Sequence, residues 1–190
     1  MQYLKQIENV SYHINGKRLF DSLSWSISRN NFYHIQGDNG SGKTTLLRIL
    51  LGITFPTKGR VINNINKFSS CFLGHKLPIK EYLTVRENIK LILKTNSVDD
   101  IKQTLQRLDL VRELDLTTSS LSFGQKKKLA LLPSITEHHD LYVLDEPFVG
   151  LDSVTIDFLE EIFLSKTNHD SAVVFTSHIA SKFQGEVIRL

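Results

Sequence analysis

The sequence GDNGSGKTT spans residues 37–45 and fits the phosphate-binding pattern G-x-x-x-x-G-K-[ST]. Its glycines let the backbone fold closely around a polyphosphate, so that successive N–H groups point at the anion. The amine of Lys43 can reach the outer phosphates, and the hydroxyl of Thr44 can bind Mg²⁺. The pattern therefore predicts an ATP-type nucleotide site that involves the whole loop: Gly37, Asp38, Asn39, Gly40, Ser41, Gly42, Lys43, Thr44 and Thr45.

The segments on either side of this loop support the same prediction. FYHIQ, residues 32–36, has the composition of a buried strand, and TLLRILLG, residues 45–52, that of a helix. A phosphate held between them would lie at a helix N-terminus, where free amides and the helix dipole favour an anion. A glycine-rich turn without a ligand is the alternative, and it does not account for the lysine and threonine.

Composition describes an ordinary globular chain. Its 190 residues are 41% hydrophobic and 23% charged, which suits one domain. A net charge of +3 is too small to indicate nucleic-acid binding. No apolar run approaches the roughly 18 residues that span a bilayer, and the N-terminus has no signal-peptide core. The single cysteine, Cys71, excludes an internal disulfide, so we expect a cytoplasmic protein.

Strand and helix patterns alternate along the chain, which predicts an α/β fold with a mainly parallel sheet. A hairpin with its turn at Asn15-Gly16 precedes the loop, and a mostly helical block interrupts the sheet. We expect a single domain whose nucleotide-binding core is formed by residues 1–74 and 136–190, with a helical subdomain at 75–135. The predicted elements are strands at 2–14, 19–28, 32–36, 60–65, 70–73, 141–146 and 172–177, and helices after 44, 85, 97, 125 and 155.

The sequence LYVLDEP, residues 141–147, is the second segment with a chemical signature. Its apolar residues predict a buried strand that delivers Asp145 and Glu146 to the carboxyl edge of the sheet, where open α/β sheets bind ligands. Beside a phosphate loop, Asp145 is expected to hold Mg²⁺ and Glu146 to polarise the attacking water. A third segment, LSFGQ at 121–125, offers a serine hydroxyl and backbone amides just before a helix.

Together these motifs resemble the ATPase subunits of ABC transporters over nearly the full chain. GDNGSGKTT is similar to Walker A, LYVLDEP to Walker B and LSFGQ to the signature motif. VGLD resembles the D-loop, and FTSH the switch segment. The resemblance implies a P-loop NTPase with an N-terminal antiparallel β subdomain. It also implies these roles: catalysis by Glu146 and His178, a D-loop at Leu151 and Asp152, and a signature acting on the partner's ATP through Ser122, Phe123, Gly124 and Gln125.

The same resemblance implies partners and location. ABC ATPases use ATP and Mg²⁺ and form head-to-tail homodimers, so each ATP lies between one subunit's phosphate loop and the other's signature. They work with integral membrane subunits, here as a peripheral protein on the cytoplasmic face of the inner membrane. No nucleic-acid partner is expected. Other classes fit less well: DNA-repair ATPases insert long coiled coil, translation ATPases carry two such domains, and small-molecule kinases lack LSFGQ.

A narrower resemblance comes from FLGHKLPIKEYLTVRENIKL, residues 72–91. This segment is similar to the haem-exporter ATPase subunits of bacterial cytochrome c biogenesis, which carry a similar LGH and a proline-containing turn. The alternatives are a small exporter of peptides or drugs, and an ABC ATPase outside transport. The groove formed by residues 75–87 is expected to bind the membrane partner.

Positions 75 and 14 depart from the family pattern, and a run of three lysines adds a further prediction. His75 stands where most members have a glutamine, so we expect it to bind Mg²⁺ with Thr44 and Asp145. Tyr12 is expected to contact adenine, because the position that resemblance assigns to an aromatic is occupied by Ile14. Three successive lysines, 126–128, are interpreted as a solvated helix face, the usual role of such runs, and a surface that faces an acidic partner is the alternative.

Overall fold

The computed structural model describes residues 3–65, 67–93, 97–177 and 183–190. The strands are β1 (Tyr3–Ile14), β2 (Lys17–Ser28), β3 (Asn31–Gln36), β4 (Lys58–Asn63), β5 (Ser70–Leu73), β6 (Leu141–Leu144), β7 (Ala172–Thr176) and β8 (Glu186–Arg189). The α-helices are α1 (Lys43–Leu50), α2 (Val85–Leu93), α3 (Lys102–Arg107), α4 (Phe123–Thr136) and α5 (Ser153–Asn168). None of the helices in these ranges has the length and apolarity needed to cross a bilayer.

Two sheets form the frame. A three-stranded antiparallel sheet has the order β2-β1-β4, and a five-stranded sheet has the order β5-β6-β7-β3-β8. Every pairing in the second sheet is parallel. The hairpin between β1 and β2 turns at Asn15 and Gly16, whose φ angles of 49° and 74° suit a two-residue turn. The predicted α/β fold and antiparallel N-terminal sheet are therefore confirmed.

Alternation along β6 explains how the parallel sheet separates two cores. Leu141 and Val143 pack with α1 and the antiparallel sheet, whereas Tyr142 and Leu144 face the helical part of the chain. All four residues are buried, because the central strands of a parallel sheet are covered on both faces. The carboxyl ends of β5 and β6 thus meet the N-terminus of α1 between two well-packed layers.

The helical block lies between β5 and β6, as the sequence indicated. Asn88 on α2 is fully buried, and its amide donates to the carbonyls of Lys80 and Thr84 and to the hydroxyl of Thr118. These hydrogen bonds tie the segment before α2 to the turn before α4. The block is therefore held together by a polar residue as well as by its apolar core.

Candidate functional site

The phosphate loop adopts a conformation that its glycines make possible. Gly40 and Gly42 have φ angles of 80° and 104°, which non-glycine residues rarely adopt. A Cβ added at Gly42 would approach the Phe20 ring to 3.0 Å. Helix α1 begins directly after Gly42, and no side chain caps its N-terminus. Its first amides are therefore available to a ligand.

Lys43 folds back over this loop. Its amine donates to the carbonyls of Gly37 and Asp38 at 2.7 and 3.1 Å, and the residue is buried. Both acceptors are neutral, so these bonds leave the positive charge uncompensated. The hydroxyl of Ser41 is also buried and has no hydrogen-bond partner among the described residues. A bound polyphosphate would satisfy both groups, so the loop fits an ATP-type ligand.

Asp145 joins three elements at the floor of the site. Its carboxylate accepts from the Thr44 hydroxyl at 2.6 Å and from the Thr176 hydroxyl at 2.7 Å. Its backbone N–H donates to the carbonyl of Leu73 at 2.7 Å, and the residue is only 2% exposed. The C-terminal ends of β5, β6 and β7 therefore converge on one residue, Asp145, beside the start of α1.

Glu146, the residue after Asp145, is fixed in place by hydrogen bonds to its backbone N–H and carbonyl. Its φ angle of 51° lies in the left-handed region, which is uncommon for a residue with a side chain. Its N–H donates to the Thr176 hydroxyl at 2.8 Å, and its carbonyl accepts from the amine of Lys127 at 2.8 Å. Two other elements thus fix this conformation through the peptide groups on either side of the residue.

Lys43, Thr44, Asp145 and Glu146 line one cleft of about 530 Å³, a volume typical of small-molecule sites, whereas Ser41 and Thr176 are not among its lining residues. The cleft brings together the phosphate loop, Asp145, Glu146 and the exposed His75. Its lining residues are Leu19, Asn39, Gly40, Gly42, Lys43, Thr44, Thr45, His75, Phe123, Lys127, Asp145, Glu146 and Val149.

The donor set at the floor of the cleft suits Mg²⁺. No cluster of three or more histidine, cysteine, aspartate or glutamate side chains that could hold a metal occurs in the described ranges. Mg²⁺ needs no such cluster, because it keeps several waters and takes other ligands from substrate phosphates. The paired oxygens of Thr44 and Asp145, with the phosphate loop beside them, match that requirement.

Tyr12, the residue predicted to contact adenine, lies beside the cleft-lining strand β2. Tyr12 is not among the residues that line the cleft; its ring stacks on Phe20 with centroids 6.2 Å apart and packs against the core. Leu19 lines the cleft from the next strand, and Ile14 is exposed at the hairpin. Tyr12 is only partly buried, and its contact with adenine stays a prediction.

The signature segment is built around a capping box that the sequence analysis did not identify. The Ser122 hydroxyl accepts from the N–H of Gln125, and the Gln125 side chain accepts from the N–H of Ser122. The serine and glutamine spacing of LSFGQ was the available signal. Gly124 is needed because a Cβ there would lie 2.6 Å from the carbonyl oxygen of Gly150. The signature therefore packs directly on the D-loop.

The D-loop is anchored by Asp152. Its carboxylate caps α5 by accepting from the Thr155 N–H at 2.8 Å and forms an ion pair with Lys128 at 2.9 Å. The hydrogen bond from Lys128, followed by that from Thr155, lowers the pKa of Asp152 well below its ordinary value. Leu151 packs against the helical core. His178, the predicted switch histidine, lies outside the described residues.

The interpretation of residues 126–128 as a solvated face is wrong. Lys126 pairs with Glu81 at 2.7 Å, Lys128 pairs with Asp152, and Lys127 is 3% exposed with its amine on the Glu146 carbonyl. Sequence alone does not reveal these partners, since each lies on a different element. The start of α4 packs against the catalytic edge, so its lysines are fixed by tertiary contacts.

Comparisons with known proteins agree with this geometry. The family model described as "ABC transporter" matches residues 20–149. The "Cytochrome c biogenesis ATP-binding export protein CcmA" of Histophilus somni is 33% identical over 186 residues, covering 91% of this chain and 86% of the relative. The protein of the same name from Dechloromonas aromatica is 35% identical over 186 residues, covering 91% of each chain.

A solved structure supports the fold. A putative ABC transporter ATP-binding protein from Pyrococcus furiosus superposes with a TM-score of 0.82 at 22% identity. The match covers 98% of this chain and 96% of the other. At that identity the likeness concerns the fold alone, and it spans both sheets and the helical block.

Proposed function

The chain belongs to the ABC transporter family of ATPases, and from that premise we propose that it is the ATP-hydrolysing subunit of an exporter in cytochrome c biogenesis. The proposal that the chain hydrolyses ATP rests on one observation: a single cleft holds the phosphate loop, Asp145 and Glu146. The cargo part rests on the relatives named for cytochrome c biogenesis and on the LGH segment with His75. Haem export, or release of a haem-loaded chaperone, is the step we assign.

The chain's own groups suggest the order of events in the cleft. Amides of the loop and the amine of Lys43 bind the phosphates, exchanging the two neutral carbonyls for an anion. Thr44 and Asp145 would hold Mg²⁺, which would offset negative charge on the phosphate oxygens, and His75, which lines the cleft, is the proposed third contributor. Glu146 accepts a proton from the attacking water, and His178 is assigned to the departing phosphate.

A head-to-tail homodimer would complete the site. Ser122 is exposed and Gly124 is half-buried, and neither residue lines the cleft of its own subunit. Beside them lie three exposed apolar side chains that a partner could cover: Phe123, Val149 and Val154. In the proposed dimer, the signature residues 122–125 of one subunit contact the ATP bound by the other. This arrangement is what the family resemblance implies.

We assign the membrane partner to the surface formed by residues 75–87, the docking surface. Tyr82 within it is 77% exposed, whereas Leu77 and Ile79 pack partly against the helical core. The segment follows β5 directly, so it connects the nucleotide cleft at His75 with the helical block. An integral membrane subunit bound there would place the protein peripherally on the cytoplasmic face of the inner membrane.

Deleting the gene for this chain from its host is expected to remove covalently bound haem from the host's c-type cytochromes. Covalent haem is measured by haem staining of denaturing gels. Wild-type protein should restore the stain, and Lys43→Ala, which loses the phosphate contact, should not. Normal staining in the deletion strain, with ATPase activity of the purified protein intact, would contradict the cargo assignment and favour another exporter.

The docking surface makes a separate prediction. Tyr82→Asp should reduce cytochrome c maturation by on the order of 10-fold, because it places a charge in a contact region that excludes water. ATPase activity of the isolated protein should stay within about twofold, since Tyr82 does not line the cleft. Leu164→Asp is the matched control, an exposed apolar residue on α5. Normal maturation by both Tyr82→Asp and Leu77→Asp would rule out this surface.

A further inference from the structure

Lys127 is an unusual residue in the cleft. A lysine that is 3% exposed has lost most of its hydration, yet none of the ion pairs formed by the described residues includes it. Its two neighbours on α4 do form ion pairs, with Glu81 and Asp152. Burial lowers the pKa of Lys127 below its ordinary value, and the charges of Asp145 and Glu146 raise it back in part. Burying a charged amine without an ion pair is energetically unfavourable, so the buried position of Lys127 requires an explanation.

The hydrogen bond that Lys127 donates to Glu146 explains its buried position. Its amine donates to the backbone carbonyl of Glu146 at 2.8 Å. At the other end of the residue, the Glu146 N–H donates to Thr176 at 2.8 Å. Glu146 has a positive φ, a conformation that persists only where the surroundings hold it. Lys127 and Thr176 together provide that hold, one from α4 and one from β7.

Because Lys127 lies on α4, its contact with Glu146 also connects the glutamate to the signature segment. Helix α4 begins at the signature, where Ser122 is the N-cap, and Lys127 lies little more than one turn further along. The same helix therefore carries the signature at its start and a contact to Glu146 within its second turn. Any shift of the signature would be transmitted to the backbone of Glu146 through a single side chain.

We propose that Lys127 is a positioning residue for ATP hydrolysis, which fixes the backbone of Glu146 and so directs its carboxylate into the cleft. The proposal rests on the assigned role of Glu146. We assign Lys127 to the glutamate because its amine donates to the Glu146 carbonyl. Lys127 also lines the cleft, so the KM for ATP is the measurement that separates this role from direct phosphate binding. The same lysine links the glutamate to the signature helix of its own subunit.

Lys127→Met tests this, because methionine keeps much of the apolar length and removes the donor. We expect kcat for ATP hydrolysis to fall on the order of 10- to 100-fold, since small displacements of a catalytic group have effects of that size. The KM for ATP and the affinity for a fluorescent ATP analogue should stay within about twofold, because the phosphate contacts remain. Lys127→Arg, which keeps a cationic donor, should recover much of kcat.

Lys126→Met is the matched control, since it removes the adjacent lysine and only an exposed ion pair. Lys127→Gln is the second variant if Lys127→Met does not fold, because it is polar but too short to reach the carbonyl. A kcat within twofold of wild type in Lys127→Met or Lys127→Gln would overturn the proposal. A raised KM for ATP with kcat unchanged would also overturn it. If Glu146→Gln is also fully active, it is the assigned function that fails.

Discussion

Glu146→Gln is expected to reduce ATP hydrolysis at least about 100-fold and to leave ATP binding intact, because general-base catalysis contributes effects of that size. Glutamine has nearly the same shape as glutamate, but its amide cannot accept a proton from water. The contacts of Glu146 that hold the loop use its backbone N–H and carbonyl, so the substitution should not disturb them. ATP should therefore remain bound and keep the subunits associated.

The measurements for this prediction are phosphate release, binding of a fluorescent ATP analogue and mass by light scattering with and without ATP. Glu161→Gln on α5 is the matched control, because it makes the same chemical change at a largely exposed ion pair with Arg107. Wild-type turnover by Glu146→Gln would show that another group activates the water. A monomer that fails to bind ATP would instead indicate that the glutamate has a structural role.

The sequence predicted the frame because each central element has a local signature. Strand β6 consists of four buried residues and is followed directly by Asp145. The glycines of the phosphate loop are required by the positive φ angles of its backbone. Strand β8 was missed for the opposite reason. It is a sheet edge, so only Ile188 of its four residues is buried and the pattern is weak.

Contacts between elements that are distant along the chain could not be predicted from the sequence. Thr176 contacts both Asp145 and Glu146, which are about thirty residues away along the chain. It became recognisable only when β6 and β7 were seen to be parallel neighbours. The partners of the three lysines on α4 were hidden in the same way. A run of like charges predicts solvation only when the helix face that carries it stays exposed.

Mixing two inactive variants is expected to restore ATPase activity if the signature acts across a dimer. Lys43→Ala removes the phosphate contact within its own subunit. Ser122→Asp places a negative charge where the partner's phosphates would lie, while aspartate still caps α4 as well as serine does. A mixed dimer carries both lesions in one site and none in the other. Random mixing should therefore recover on the order of a quarter of wild-type activity, because half the dimers are mixed and each has one intact site.

Differently tagged subunits allow the mixed dimers to be purified and assayed directly. Each variant alone should be nearly inactive, and Ser122→Asp should keep the melting temperature of the wild type, since the capping interaction at position 122 is retained. If purified mixed dimers are no more active than either parent, the signature does not contribute to the partner's site. If Ser122→Asp alone is fully active, the exposed serine has no role in hydrolysis, whatever the assembly.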